Sequence, residues 1–412
     1  MSANILRPYQ TQALESLRQK LRLAITRIML MAPCGSGKTT IAAEMVRAAR
    51  DKGTPVLFIA DRIELIEQAS ARFDHEGIDH GIIQANHWRT DFSKSVQIAS
   101  IQTLARRRVP LFKLAIIDEA HTLFKAHIQL MKDNPQAFFI GLSASPFTKG
   151  LGKHFDALVV AETTQGLIDQ GYLVQPRVFA PSAPDVSKIK IRRGDYDETE
   201  LAEATNQPRL VGDIIDHWFT LARGRQTLAF AVDIKHSMAI VERFRFAGVR
   251  AEHLDCYTDN VERHKTIEAF KRGEIQVLSS VDILSKGFDY PGASCAIMAR
   301  PTKSLILHVQ QQGRVLRIHE SKSDCVILDH AGNTERLGFI TDPLPEILDD
   351  GKKKEIKPRE REKPLPKKCP KCSFLKEAHV CPNCGFAPQT QAKDVEYVPG
   401  ILVEKKAGKI AT

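Results

Sequence analysis

A chain of 412 residues, 43% hydrophobic and 26% charged, has an ordinary globular balance and length enough for two or three folded units. No apolar run approaches the ~18 residues that span a bilayer, and the opening MSANILRPYQ lacks the apolar core of a secretion signal; a soluble, cytoplasmic protein with no membrane partner is expected. The net charge of +10 favours polyanionic partners, because each phosphate neutralised releases a counterion, and residues 351–368 carry +6 of it, nine Lys/Arg against three Glu.

Leu14, Leu17 and Leu21 recur at helical spacing and predict a first helix within residues 1–25. The apolar run 28–32 predicts a strand, 33–38 a Gly-rich turn, and 39–50 a helix. A strand is expected at 56–60, a helix at 64–73, and short strands at 96–100, 114–118 and 138–142. Such alternation implies a parallel sheet with helices on both faces. Prolines and glycines break the pattern after residue 160, so 161–210 reads as a connector with an inserted element near 185–205. Alternation returns with strands at 227–231, 275–280, 293–298 and 324–329, and helices at 234–246, 261–271 and 304–312. The reading is therefore an α/β lobe over 1–160, a connector over 161–210, and a second α/β lobe over 211–341. A basic Pro/Lys-rich linker over 342–368 and a cysteine-bearing tail over 369–412 follow.

Ala32-Pro33-Cys34-Gly35-Ser36-Gly37-Lys38-Thr39 lies between a strand and a helix, the setting a phosphate-binding loop requires. Its backbone N–H groups would cradle phosphate with help from the helix dipole. Gly35, Ser36, Gly37, Lys38, Thr39 and Thr40 are its nucleotide contacts, Lys38 reaching the β/γ-phosphates and Thr39 helping to hold Mg²⁺. Asp118-Glu119-Ala120-His121 ends an apolar strand, where carboxylates face the ligand crevice of an open α/β sheet. Asp118 is expected to hold Mg²⁺, and Glu119 to orient and deprotonate the attacking water. In the tail, Cys369 and Cys372 form one C-P-x-C knuckle and Cys381 and Cys384 a second. Four thiolates so paired predict a closed, structural Zn²⁺ site in a small ribbon, with His379 a weaker ligand candidate.

Asp118–His121 resembles the DEAH box of superfamily 2 helicases, and further pieces stand in that family's order. Arg7-Pro8-Tyr9-Gln10 resembles its adenine-reading motif, with Arg7 and Gln10 as contacts. Ser143-Ala144-Ser145 resembles its coupling motif, with Ser in place of the final Thr. Residues 277–291, including Gly287 and Asp289, resemble the second-lobe motif that lines nucleotide and nucleic acid. Gln310 through Arg317 fits Q-x-x-G-R-x-x-R, so Gln310 is a nucleotide contact and Arg314 and Arg317 are finger candidates. The resemblance spans roughly residues 5–335. It implies two tandem RecA-like lobes, ATP and Mg²⁺ as cofactors, and phosphoryl charge stabilised by arginines from the facing lobe.

Within the superfamily, Ser145-Pro146-Phe147, Gly171-Tyr172-Leu173, the run 327–333 and the cysteine-rich tail resemble RadD-type helicases, with XPB-like and phage branch-migration helicases close by. That likeness implies an ATP-dependent helicase or translocase on single-stranded or branched DNA in repair or recombination. It also implies a monomer with a possible repair-protein partner. The alternatives are an RNA-remodelling ATPase and an ATP-gated zinc-ribbon adaptor. Asp61-Arg62, residues 100–103 and Ser279-Ser280 are candidate backbone-phosphate contacts. Arg106-Arg107-Arg108 reads as a solvated cluster, and Trp88 and Trp218 as packing residues.

Overall fold

The computed structural model describes residues 6–180, 183–192, 194–285, 288, 290–352 and 366–387. The first lobe comprises α1 (Pro8–Arg22), β1 (Arg27–Met31), α2 (Lys38–Arg50), β2 (Val56–Ala60), α3 (Ile63–His75), β3 (Gly81–Ile83), β4 (Val96–Ser100), α4 (Ile101–Leu104), β5 (Leu114–Ile117), α5 (Lys125–Asp133), β6 (Phe138–Ser143) and β7 (Ala157–Val160). After α6 (Thr164–Asp169), the second lobe contains β8 (Gln175–Phe179), β9 (Ile191–Arg192), β10 (Asp195–Tyr196), α7 (Glu198–Thr205), α8 (Pro208–Leu221), β11 (Thr227–Phe230), α9 (Ile234–Phe246), β12 (Ala251–Leu254), α10 (Asn260–Lys271), β13 (Val277–Ser280), β14 (Cys295–Met298), α11 (Leu305–Gln312), β15 (Asp324–Asp329) and α12 (Asn333–Leu337). The tail adds β16 (Lys367–Lys368) and β17 (Leu375–Lys376).

Each lobe is built on one parallel sheet, ordered β3-β4-β2-β5-β6-β1-β7 in the first and β12-β13-β11-β14-β15-β8 in the second. β2, β4 and β5 are buried along their whole length, as strands covered on both faces must be. One face of the first sheet packs Ile28, Phe58 and Ile140 against Ile41 and Val46 of α2 and Ile66 and Phe73 of α3. The other packs Met29, Ile59 and Phe139 against Leu130, Leu151 and Phe155. Two further clusters cover the second sheet. The two RecA-like lobes implied by the family resemblance are thus present.

Three differences from the expected pattern matter. Gln175–Phe179 lies within the stretch read as connector, yet it is the outer strand of the second sheet, paired with β15. Its Pro176 disguised it; at a sheet edge the missing N–H costs little. The tail is not free: Ala180 N–H donates to Ser373 O (3.0 Å), Phe179 and Phe374 meet edge-on at 5.4 Å, and Leu375 is buried in a second-lobe core cluster. The stretch read as linker turns back onto the first lobe. There Asp349 accepts from Gly150 N–H and, through its carbonyl, from Gly152 N–H, both at 2.8 Å. The lysine-rich residues 353–365 and the end of the tail, 388–412, lie outside the described residues.

Candidate active site between the lobes

The strand β1 delivers the phosphate loop to the C-terminal edge of the first sheet. Gly35 and Gly37 take φ of +81° and +80°, a region open to glycine and costly for other residues. Gly37 is also the N-cap of α2, and no side chain caps that helix. Its first-turn N–H groups are left for a ligand, which is the chemistry of anion binding. The loop is braced from below: Gln10 Nε2 donates to Ser36 O at 2.9 Å, Tyr9 O–H donates to the same carbonyl, and Arg7 N–H donates to Gln10 Oε1 at 3.0 Å. Gln10 is therefore engaged with the loop, and the Arg7 guanidinium lies 4.4 Å from the centroid of the Tyr172 ring. Tyr9 is a bracing residue that sequence reasoning did not single out, although it stands within the quoted motif.

One cavity is lined by Cys34, Gly35, Lys38, Thr39, Asp118 and Glu119 of the first lobe and by Arg314 and Arg317 of the second. Arg314 donates to Phe288 O at 2.7 Å, which fixes its guanidinium at the cavity wall. The Arg317 stem lies against Gly35, where an added Cβ would stand 3.0 Å from its Cγ. Thr40 stands one place further along α2. Gly287 and Asp289 lie outside the described residues.

Asp118 and Glu119 are both desolvated and adjacent. Burial, followed by repulsion from Glu119, pushes the Asp118 carboxyl up to about 7. For Glu119 burial also acts upward. Lys38, the hydrogen bond from His121 and the charge of Arg314 outweigh it and hold the carboxyl at about 2. Glu119 has φ +47°, a strained conformation for a residue with a Cβ. Its side chain reaches His121, whose Nδ1 lies 3.2 Å from Glu119 Oε2 and 3.1 Å from Ser143 Oγ. Gln310 of the second lobe brings its Nε2 to 3.5 Å from both Glu119 Oε2 and His121 Nε2. The acidic box, the coupling serine and the second lobe thus share one polar network. Ser145 Oγ, at the position of the replaced Thr, is buried without a hydrogen-bond partner among the described residues.

The residues present suit a nucleotide with a divalent cation. Two neighbouring half-buried carboxylates and the Thr39 hydroxyl form a hard, oxygen-rich donor set, and Lys38 beside them suits the phosphates. The four tail cysteines suit zinc. Their Sγ atoms all lie within 4.8 Å of one another, with Cys369–Cys384 and Cys372–Cys381 at 3.7 Å. Tetrahedral Zn–S bonds of ~2.3 Å place sulfurs about 3.8 Å apart, whereas a disulfide would bring them to ~2.05 Å.

The candidate phosphate contacts divide. Asp61 accepts through its carbonyl from Gln102 Nε2 at 2.9 Å. Arg62 lines a second interlobe cavity with His121, Asp282 and Gln310. Ser279 and Ser280 are fully buried; Ser279 Oγ bonds Ser237 Oγ at 2.6 Å, and Ser280 Oγ accepts from Leu284 N–H. Their hydroxyls hold the second lobe together and face no solvent. Trp218 is buried with its indole N–H on Thr227 Oγ1, a packing residue as expected, while Trp88 is 84% exposed.

A P-loop and acidic pair on one parallel sheet, faced by arginines from a second, define a two-lobed nucleoside-triphosphate hydrolase. Residues 4–148 match the family described as type III restriction enzyme, res subunit, and residues 208–319 match the helicase conserved C-terminal domain. The chain thus carries both domains of a superfamily 2 helicase in tandem, and it is an ATP hydrolase of the helicase class. It is 28% identical over 370 residues to a 51.5 kDa protein of a Lactococcus phage (isolate 7-9), covering 87% of this chain and 77% of that one. It is also 28% identical over 369 residues to IRC3 of Saccharomyces cerevisiae, provisionally named an ATP-dependent helicase, covering 83% of this chain but only 53% of the yeast protein. A fragment provisionally assigned as the HsdR subunit of a type I restriction enzyme from Vibrio vulnificus shares the fold. Its TM-score is 0.64 at 21% identity, over 86% of this chain and 68% of that one.

Proposed function

We propose that this chain is an ATP-driven DNA translocase or helicase of the DEAH-box, RadD-like kind, working on single-stranded or branched DNA in repair or recombination. The observation that carries the reading is the cavity between the sheets, to which one lobe brings Lys38, Asp118 and Glu119 and the other Arg314 and Arg317. Hydrolysis there requires both lobes, so each turnover is tied to their approach. Lys38 and the α2 N-terminus bind the phosphates. A divalent cation held by Thr39 and Asp118 would neutralise charge on the β- and γ-phosphates. Glu119 orients the attacking water and accepts its proton. Lys38, His121 and Arg314 hold the Glu119 pKa low, and of these Lys38 and Arg314 are cations that a bound nucleotide would share. Arg7 and Gln10 read the adenine, Gly287 and Asp289 lie along the nucleotide, and the zinc-bound ribbon with the basic segment before it contacts DNA. The protein works as a monomer, with a repair or recombination protein as partner.

A nucleic-acid partner is favoured by the net charge of +10, and DNA over RNA by likeness to the res-subunit family. That likeness also supports a second reading, the motor part of a restriction assembly. ATPase rates measured with single-stranded, branched and duplex DNA and with RNA test the proposal. Branched or single-stranded DNA should stimulate most, and Glu119→Gln should reduce turnover by roughly 10²–10⁴-fold while ATP still binds. Stimulation by RNA equal to that by DNA would exclude the DNA assignment, and wild-type turnover in Glu119→Gln would exclude the general base.

A further inference from the structure

The loops that follow the two outermost strands carry strongly exposed aromatic rings. β3 is the edge of the first sheet beside β4, and β12 the edge of the second beside β13, so the two are topological equivalents. Trp88 follows β3 and is 84% exposed; Tyr257 follows β12 and is 83% exposed. Singly exposed rings are ordinary; what sets these two apart is that they stand at matching places on the two lobes.

Both loops are anchored to the first turns of α3. The His87 ring stacks on Trp88, with centroids 5.7 Å apart and planes at 27°, and His87 Nε2 lies 3.2 Å from Glu67 Oε1. In the other lobe Arg263 donates to Asp255 O and Thr258 O, bracketing Tyr257, and its second nitrogen lies 3.8 Å from Glu64 Oε1. Glu64 and Glu67 are three apart on one helix and share a face. The two aromatic loops therefore flank the same stretch of α3, one from each lobe. Ala85 N–H also donates to Thr103 Oγ1 on α4 (3.2 Å). The exposed Arg106-Arg107-Arg108 follows that helix and forms no ion pair among the described residues. The Arg89 guanidinium also lies 5.7 Å from the Trp88 ring centroid, so His87 and Arg89 hold a ring that is still 84% exposed. Exposed rings near guanidinium groups are the chemistry that holds single-stranded nucleic acid: bases stack on the rings while phosphates meet the arginines.

We propose that Trp88 and Tyr257 form a two-ring stacking platform for the bases of single-stranded nucleic acid, one ring on each lobe. The proposal rests on the nucleic-acid motor reading above and adds the contact that grips the strand by its bases. Stacking tolerates any base sequence, as a translocating grip must.

The full chain offers a direct test, since it has two tryptophans and the other, Trp218, is buried. Tryptophan emission is titrated with a thymidine oligomer and with an abasic oligomer of the same length. The thymidine oligomer should quench the wild type and not Trp88→Phe. Trp88→Ala and Tyr257→Ala should each weaken its binding by about fivefold or more, and Trp88→Phe should retain most of the affinity. The abasic oligomer should bind all variants alike, and ATPase without nucleic acid should not change. If the wild type binds the thymidine oligomer and Trp88→Ala binds it within about twofold, the platform is overturned and the rings belong to another surface. If the wild type binds neither oligomer nor any DNA, the motor reading itself falls, and the platform with it.

Discussion

The two lobes share a plan and differ in how their helices begin. In the second, Asp233, Asp259 and Ser304 cap α9, α10 and α11 with side-chain oxygens. In the first, α2, α3 and α4 have no side-chain cap. A capped N-terminus has used its orphan N–H groups internally; an uncapped one keeps them for a ligand. What matters is position: α2, whose N-terminus faces the phosphate loop, lacks a cap, whereas α9, α10 and α11 close their own first turns; α8 and α12 of the second lobe, away from the phosphate loop, are uncapped as well. The second lobe contributes Arg314, Arg317 and Gln310 to a site it could not build alone.

The sharpest way to break this division is to remove the second lobe's charge and leave its fold. Arg314→Ala should lower kcat by roughly 10³-fold or more, as loss of an arginine finger does, with ATP affinity nearly retained. Equilibrium binding of a nucleotide analogue beside steady-state ATPase measures both. A loss below about tenfold would move the finger to Arg317, whose stem already lies against Gly35.

A subtler break alters how closely the lobes approach. Gly313 ends α11 against the phosphate loop, and a Cβ there would stand 2.4 Å from Cys34 Cβ and 3.0 Å from its Sγ. Gly313→Ala should prop the cleft open and reduce turnover, up to about 10²-fold for a misplacement near 1 Å. Adding Cys34→Gly, which removes the clashing atoms, should recover much of the loss. If the double variant is no faster than Gly313→Ala, the effect is internal to α11.

The chain shows where sequence is legible and where it is not. Strands with unbroken apolar runs, such as Val56–Ala60 and Asp324–Asp329, coincide with their readings to the residue. β12, with Glu252 and His253 at its centre, and β8, with Pro176, escaped because edge strands tolerate polar residues and proline. Local motifs were equally visible, since a P-loop and an acidic box are contiguous in sequence. The Tyr9 brace on Ser36, the positive φ of Glu119 and the docking of the cysteine knuckles on β8 depend on residues far apart or on backbone strain, and no short window encodes them.

That docking makes the second lobe the one sensitive to metal. Cys372→Ser, or chelation, should release the ribbon, whose Leu375 and Phe374 pack on that lobe. The expected result is one equivalent of zinc in the wild type, none in the variant, and a melting temperature lower by a few degrees, about 2–4 °C for each kcal/mol lost. An unchanged melting curve in zinc-free protein would show that the ribbon is a passenger.

Acid should distinguish the lobes most gently. Burial depresses the pKa of His330 to about 3 and of His236 to about 4, and lowers that of His308, all in the second lobe. In the first lobe burial holds His127 at about 4 and lowers His80 and His154. A histidine kept neutral in the fold takes up its proton at ~6.5 once unfolded, so below that pH the unfolded state binds more protons than the native one. Stability is then complete above about pH 6.5 and declines as pH falls toward the folded values near 4 and 3. With two histidines held at about 4 or below against one in the first lobe, the second lobe should loosen first. Trp218 emission, read in a Trp88→Phe background, reports that lobe, and far-UV circular dichroism reports the whole chain. On titration from pH 7 to 4 the Trp218 signal should change before most helicity is lost. Coincident transitions would mean that the lobes unfold as one unit, held together by the returning segment at Asp349 and the shared cavity.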